Sequence, residues 1–156
     1  QRVKDNIIFM MNSRPLSLKE IESILPQRYP FLLIDKVLDY KENDYLVAVK
    51  NITGNEWALG EKQDQLSVFP EMLLVEAALQ ASILLYHISK NLPDENPSYF
   101  IGKIESRFSD LPRVGDSPKI SVFAEKLMRS GGYASIKVEN QKEKLVNMDI
   151  FFSVKR

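Results

Sequence analysis

The sequence predicts an α+β domain in which an antiparallel sheet packs around one long buried helix. Residues 70–86 are apolar on nearly every side, which is typical of a helix enclosed by other elements. Segments rich in β-branched and aromatic residues lie on both sides of this stretch in the sequence and favour strands. Strands that cover a single long helix form a layered α+β fold.

A short helix is predicted at the start of the domain. Ser17 and Glu20 have the spacing of a capping box, in which each side chain bonds the other residue's backbone N–H. Apolar residues follow from Ile21, and Pro26 ends the helix, because proline is excluded from a helix interior.

Six strands are predicted from runs of β-forming residues that are separated by turn residues. They cover residues 32–40, 45–53, 98–108, 119–129, 133–139 and 145–155. The polar run Lys41–Asp44 connects the first two strands, and residues 57–66 form a polar loop before the long helix. That helix begins at Pro70, which suits a first helical turn, and the two prolines of Asn91–Pro97 end it.

Glu76 is the residue of the long helix that needs an explanation. It lies in the middle of the apolar stretch, and a buried carboxyl group needs a partner, a proton or a chemical task. Gln80 is one turn further on and is placed to hydrogen-bond it. These residues alone leave two interpretations open, a structural glutamate and a catalytic acid.

The residues around Glu76 resemble those of the 3-hydroxyacyl-acyl carrier protein dehydratases of fatty-acid synthesis. That family has a Leu-Pro-His-Arg-Tyr-Pro-Phe-Leu-Leu stretch before an aspartate, and a signature from Gly-His-Phe-Pro to Val-Glu-Ala-x-x-Gln. The similar segments here are Leu25–Asp35, Lys50–Thr53, Asn55-Glu56, Glu61–Met72, Val75–Gln80, Tyr99–Ile104 and Arg107–Asp116. They follow the family's order and register, and the resemblance covers residues 17–156.

The resemblance implies a hot-dog fold, in which a curved antiparallel sheet wraps one long helix. It divides the chain into an extension, residues 1–16, and a single hot-dog domain, residues 17–156. In the family, a histidine removes the α-proton of an acyl thioester while an acid on the helix helps to expel the 3-hydroxyl group. The helix N-terminus polarises the thioester carbonyl with backbone N–H groups. By position, Glu76 is the acid; the substrate-binding candidates are Phe69, Pro70, Glu71, Met72 and Gln80.

The chain departs from the family at the position of the base. Lys62 occupies the histidine's place, Gln63-Asp64 replaces the following Phe-Pro, and Glu71 replaces a small residue. A lysine is protonated near pH 7 and is a poor base unless burial or nearby cations release its proton. The chain's one histidine is His87, and eleven helical residues from Glu76 correspond to about 16 Å.

These departures favour a catalytically degenerate dehydratase or a half-site subunit. The family's sites lie at dimer interfaces, with the histidine from one protomer and the acid from the other. Glu76 could therefore complete a site whose histidine comes from a related chain. An active dehydratase, an acyl thioesterase that uses Glu76 and a non-catalytic acyl-binding protein stay open as alternatives.

Composition limits the remaining classes. The 156 residues suit one domain, and a formal charge of zero argues against nucleic acid or an anionic membrane as a partner. No cysteine and one histidine predict no metal site, and no cofactor is expected. The apolar run 72–85 is too short for a membrane span, so a cytoplasmic protein is predicted. Met11 is a candidate start residue.

The resemblance also predicts the partners. They are acyl carrier protein or a CoA thioester as substrate carrier, and a second subunit in a homodimer or higher oligomer. A heterodimer with a histidine-bearing relative is the alternative that the half-site interpretation requires.

Overall fold

The computed structural model describes residues 14–59, 67–92, 97–141 and 143–155. These residues form one six-stranded antiparallel sheet with a long helix packed on it. In chain order the elements are α1 (Leu18–Ile24), β1 (Lys36–Lys41), β2 (Tyr45–Val49), a 3-10 turn (Trp57–Leu59), α2 (Glu71–Lys90), β3 (Ser98–Phe108), β4 (Lys119–Met128), β5 (Gly131–Asn140) and β6 (Glu143–Lys155). The predicted α+β fold, an antiparallel sheet with one long helix, is confirmed.

The sheet has the order β1-β2-β4-β5-β6-β3, and every neighbouring pair is antiparallel. The longest pairings join β6 to β5 on one side and to β3 on the other, with Ile150 opposite both Ala134 and Ile104. β1 and β3 are the edge strands. Leu16 forms an isolated bridge with Val37, which attaches the start of the described chain to β1. The division at residue 16 stays a prediction.

The capping box of α1 forms as predicted. The Ser17 side chain accepts a hydrogen bond from the Glu20 backbone, and the Glu20 carboxylate accepts one from the Ser17 backbone N–H at 2.8 Å. The helix ends at Ile24, and Leu25 is already extended, because the residue before a proline is disfavoured in the helical region.

The strand predictions hold best where the sheet is longest. β3 matches its predicted residues, and the later strands differ by one or two residues at one or both ends. The first strand is shorter than predicted, beginning at Lys36 rather than at residue 32, and the second ends at Val49 rather than at residue 53. The Leu33 backbone N–H bonds the Gln80 side chain instead of a neighbouring strand, so that segment is held against α2.

Helix α2 forms the centre of the core. Leu73 is half-buried, and six further side chains of the helix are fully buried: Leu74, Ala77, Ala78, Ala81, Leu84 and Leu85. The helix is long and apolar enough to cross a membrane by length and composition, but here it packs against the sheet. Asn91 ends it in a left-handed conformation with φ of 45°, a conformation that asparagine tolerates.

One side of α2 is not covered by the sheet, which corrects the prediction of burial on every face. Met72 is 72% exposed, and Glu76, Leu79 and Ile83 are half-buried. These four residues are spaced by three or four positions and therefore share one face. This uncovered face contains the predicted acid.

Candidate functional site around Glu76

Glu76 borders a cleft of about 300 Å³ between the uncovered face of α2 and the edge of the sheet. Besides Glu76, the cleft is lined by Pro26, Gln27, Leu79, Ser82, Ile83, Pro97, Tyr99, Ile101 and Phe152. Most of these side chains are apolar, so the carboxyl group opens into largely apolar surroundings. A cleft of this composition suits an apolar ligand with a polar head.

Gln80 holds Glu76 in place, as the one-turn spacing predicted. The Gln80 side chain is 0% exposed, and its amide nitrogen donates to Glu76 Oε1 at 2.9 Å and to the Phe31 carbonyl at 2.8 Å. Its amide oxygen accepts from the Leu33 N–H at 2.9 Å. One carboxylate oxygen is thereby fixed, while the other has no hydrogen-bond partner among the described residues.

The N-terminus of α2 lies next to the site in sequence, but its side chains do not line the cleft. Phe69 is fully buried, and its N–H donates to the Pro112 carbonyl at 2.7 Å. Glu71 and Met72 are exposed, and no side chain of the described residues caps this helix end. The first N–H groups of a helix have no intrahelical acceptor, so those of Glu71 and Met72 are available to an acceptor atom.

A buried lysine contacts residues on both sides of residues 60–66, the stretch that precedes α2. Lys50 Nζ is 2.7 Å from Glu56 Oε1 and 2.6 Å from the Asn51 carbonyl. The same ammonium group lies 5.6 Å from the centroid of the Phe69 ring. Lys50 therefore links Glu56, before residues 60–66, to Phe69, after them. Lys62, with the rest of residues 60–66, lies outside the described residues.

Two buried oxygen atoms in the cleft residues have no hydrogen-bond partner within the described chain. They are the side-chain amide oxygen of Gln27 and the hydroxyl oxygen of Tyr99. Burial, with a smaller contribution from the neighbouring Tyr86, raises the pKa of Tyr99 to about 12. The Tyr99 hydroxyl is therefore neutral and carries a proton at any physiological pH.

Comparison with known protein families identifies the family of this chain. A profile described as a FabA-like domain matches residues 25–144. The chain belongs to the FabA-like family.

The chain is also similar to individual members of the family. It is 40% identical over 112 residues to the 3-hydroxyacyl-acyl-carrier-protein dehydratase FabZ of Vibrio cholerae, covering 71% of this chain and 73% of that protein. It is 42% identical over 110 residues to FabZ of Vibrio vulnificus strain YJ016, covering 70% of this chain and 73% of that protein. These identities confirm the resemblance that the motifs indicated.

Solved structures confirm the hot-dog fold. The dehydratase heterocomplex ApeI:P of Xenorhabdus doucetiae matches with a TM-score of 0.73 at 13% identity, over 87% of this chain and 91% of that chain. A hypothetical thioesterase with coenzyme A from Streptococcus pneumoniae matches with a TM-score of 0.59 at 12% identity, over 76% and 84% of the two chains. At these identities the likeness concerns the fold.

In this FabA-like chain, the one histidine lies too far from Glu76 to act with it. His87 lies in the last turn of α2, eleven residues or about 16 Å along the axis from Glu76. Burial lowers the pKa of His87, so its imidazole is neutral near pH 7. Direct proton transfer needs heavy atoms within about 3 Å, so His87 does not share a site with the Glu76 of its own chain.

The sequence predicted the contact between Glu76 and Gln80 but missed most of the cleft wall. Phe69 is buried and Met72 is exposed, and neither lines the cleft. Gln27 and Tyr99 were not singled out, although both fall in segments that match the family's motifs. Within the described residues, no cluster of three or more His, Cys, Asp or Glu side chains suits a metal ion.

Proposed function

We propose that this chain is a half-site subunit of a dehydratase that acts on carrier-bound 3-hydroxyacyl thioesters in fatty-acid-like or polyene synthesis. The observation that carries this proposal is the Glu76 carboxyl group, held by Gln80 in an apolar cleft with no histidine of its own chain in reach. A FabA-like chain with an acid and no base is incomplete alone, and it becomes complete when a related chain supplies the histidine.

The reaction at the shared site is an elimination of water. The partner's imidazole takes a proton from C2 of the acyl group, and the electron pair of that C–H bond forms the C2–C3 double bond. The C3–oxygen bond breaks as the Glu76 carboxylic acid gives its proton to the departing hydroxyl group, which leaves as water.

The start of α2 supports the same substrate. The N–H groups of Glu71 and Met72 have no acceptor within the helix, and the helix dipole adds partial positive charge there. A thioester carbonyl placed at this end would be polarised toward the enolate-like charge that develops when C2 loses its proton. The exposed Glu71 carboxylate opposes that charge.

The opposite site of such a mixed dimer would be inactive. It would combine the partner's acid with Lys62 of this chain. A lysine side chain with the usual pKa is protonated near pH 7 and cannot accept a proton. One active site per dimer is therefore expected, with Glu76 essential and Lys62 dispensable.

The uncovered face of α2 and the free edge of β3 are where we place the second subunit. Phe100 and Ile101 on β3 are each 48% exposed, and β3 has a neighbouring strand on only one side among the described residues. The ApeI:P structure is described as a heterocomplex of dehydratases, which supports a mixed assembly on this fold. A homodimer of this chain would contain two such inactive sites.

The carrier is acyl carrier protein or CoA, and the expected location is the cytoplasm, where such thioesters are made. The FabZ relatives are named for acyl-carrier-protein substrates. This supports a carrier protein as the first substrate to test.

The test is an assay of the chain alone and together with a histidine-bearing FabZ-type relative. Each preparation receives a 3-hydroxyacyl thioester and the corresponding 2-unsaturated thioester, and the products are separated by mass. The proposal predicts no turnover by the chain alone and dehydration by the mixed dimer. Release of free acid by the chain alone would instead identify a thioesterase, and dehydration by the chain alone would identify a complete enzyme.

A further inference from the structure

We propose that the Glu76 cleft binds an acyl chain whose far end carries a hydroxyl group, held between Tyr99 and Gln27. The proposal rests on the proposed function, because it specifies which acyl group the same cleft would take. It starts from the two buried oxygens without a hydrogen-bond partner in the described chain, Tyr99 Oη and Gln27 Oε1. Both residues line the cleft.

The Tyr99 ring packs against a residue of α2 that lies well beyond Glu76. It lies edge-on to Tyr86, with 6.1 Å between the ring centroids, and is tilted against Phe152 at 6.5 Å. Tyr86 is ten residues beyond Glu76 on α2, a separation of about 15 Å along the axis. Tyr99 therefore faces the tail of a bound acyl chain, whereas Glu76 faces its reacting carbons.

Polar oxygens are unexpected in a wall built for a plain alkyl tail. An unpaired polar group in the interior destabilises the folded state, and native proteins contain few of them. Apart from Glu76, Ser82 and the two residues that carry these oxygens, the described residues that line this cleft are apolar. Phenylalanine at position 99 and an apolar residue at position 27 would complete such a wall without leaving an oxygen unpaired.

A hydroxyl group is the ligand group that satisfies both oxygens. The Gln27 oxygen only accepts hydrogen bonds, whereas the Tyr99 hydroxyl can donate one. A ligand hydroxyl donates to the first and accepts from the second. A carboxylate has no proton for Gln27, and an ammonium group would lose its hydration in a cleft whose lining is largely apolar. Ser82 donates its proton to the Ala78 carbonyl at 2.8 Å and adds a further acceptor at this end.

The test compares two hydrolysis-resistant amide analogues of a 3-hydroxyacyl-pantetheine that differ only in a terminal hydroxyl or a terminal methyl group. Binding to the full-length protein in its native oligomer is measured by titration calorimetry. The hydroxyl analogue should bind at least about tenfold more tightly, because without it two buried polar groups stay unpaired. Tyr99→Phe and Gln27→Met should each remove most of this preference, and Tyr86→Phe should keep it.

Equal affinity for the two analogues would overturn this inference alone, since an internal water molecule would then satisfy the two oxygens. Failure of both analogues to bind would overturn the acyl-binding role as well. Melting temperatures check that the Tyr99 hydroxyl has no internal hydrogen-bond partner. Tyr99→Phe should leave the melting temperature unchanged or raised. Tyr86→Phe loses hydrogen bonds to the Met128 and Arg129 carbonyls, both at 2.9 Å, and should lower it by about 2–4 °C. An equal fall in both variants would show that the Tyr99 hydroxyl has an internal partner and would also overturn the inference.

Discussion

Gln80 donates a hydrogen bond to Glu76 across one turn of α2, with 2.9 Å between the amide nitrogen and the carboxylate oxygen. The same amide group bonds the Phe31 carbonyl and the Leu33 N–H. A single buried side chain therefore fixes the acid and attaches the segment after α1 to the central helix. The geometry of the acid and the stability of the domain are coupled at this residue.

Replacing Gln80 by methionine should destabilise the protein by about 1–3 kcal/mol. Methionine has a similar length but leaves the buried Leu33 N–H without an acceptor, and an unsatisfied buried donor carries a cost of this size. Glu76→Gln is the matched control, because its amide oxygen can still accept from Gln80 and should change the free energy of unfolding by less than about 1 kcal/mol. Urea denaturation measures both. Equal losses would show that the charge of Glu76, rather than the hydrogen bonds of Gln80, stabilises this region.

Truncating Leu84 to alanine should reduce the free energy of unfolding by about 2–5 kcal/mol. Its side chain is 0% exposed in the core, so the substitution leaves a cavity between α2 and the sheet. Met72→Ala on the same helix is the control, because that exposed side chain should contribute less than about 0.5 kcal/mol. Guanidinium denaturation of both variants checks the difference; similar losses would mean that Met72 is covered in the native oligomer.

Replacing Lys50 by methionine should destabilise the protein by about 3–5 kcal/mol, because the buried Glu56 carboxylate loses the ammonium group that lies 2.7 Å away. The double variant Lys50→Met with Glu56→Gln should be more stable than the single one, since it also removes the buried negative charge. Lys41→Met breaks the exposed Lys41–Asp44 pair of 2.8 Å and should have little effect. Thermal unfolding of the three variants tests this; a double variant no more stable than Lys50→Met would show that charge burial is not the dominant cost.

The stability of the domain should fall as the pH drops below about 6.5, the ordinary pKa of histidine. Burial lowers the pKa of His87 in the folded state, so the unfolded chain binds this proton at a higher pH than the folded chain does. Where the unfolded state binds more protons, stability decreases as the pH falls. His87→Gln should flatten the profile of the free energy of unfolding below about pH 6.5. An unchanged profile would mean that His87 is accessible to water in the native assembly.

The sequence pattern was sufficient for the helix and for most of the sheet, because both depend on local periodicity. Ser17 and Glu20 predict a helix start through contacts three residues apart, and β3 carries enough β-forming residues to define its own ends. The start of β1 was missed because Leu33 bonds a side chain 47 residues away. Local propensity contains no information on such a contact.

The site was predictable only where its residues share one element. Glu76 and Gln80 are one turn apart, so their contact follows from helical spacing. Gln27 and Tyr99 come from a loop and an edge strand on either side of α2 in the sequence. They line one cleft only because of how those elements pack. The three-dimensional structure is also needed to show that their oxygens have no hydrogen-bond partner in the described chain.

The most direct measurement of the half-site account is the dehydration rate of a mixed dimer of this chain with a histidine-bearing FabZ-type relative. Glu76→Gln in this chain should lower the rate about 10²–10⁴-fold, as expected when an acid–base group is lost. Glu71→Gln, which removes an exposed carboxylate from the same helix, should not lower it, and Lys62→Ala should leave it unchanged. Removal of the partner's own acid should also be tolerated, because that acid faces the inactive site. Full activity of the Glu76→Gln dimer, or the absence of any mixed dimer, would contradict the account.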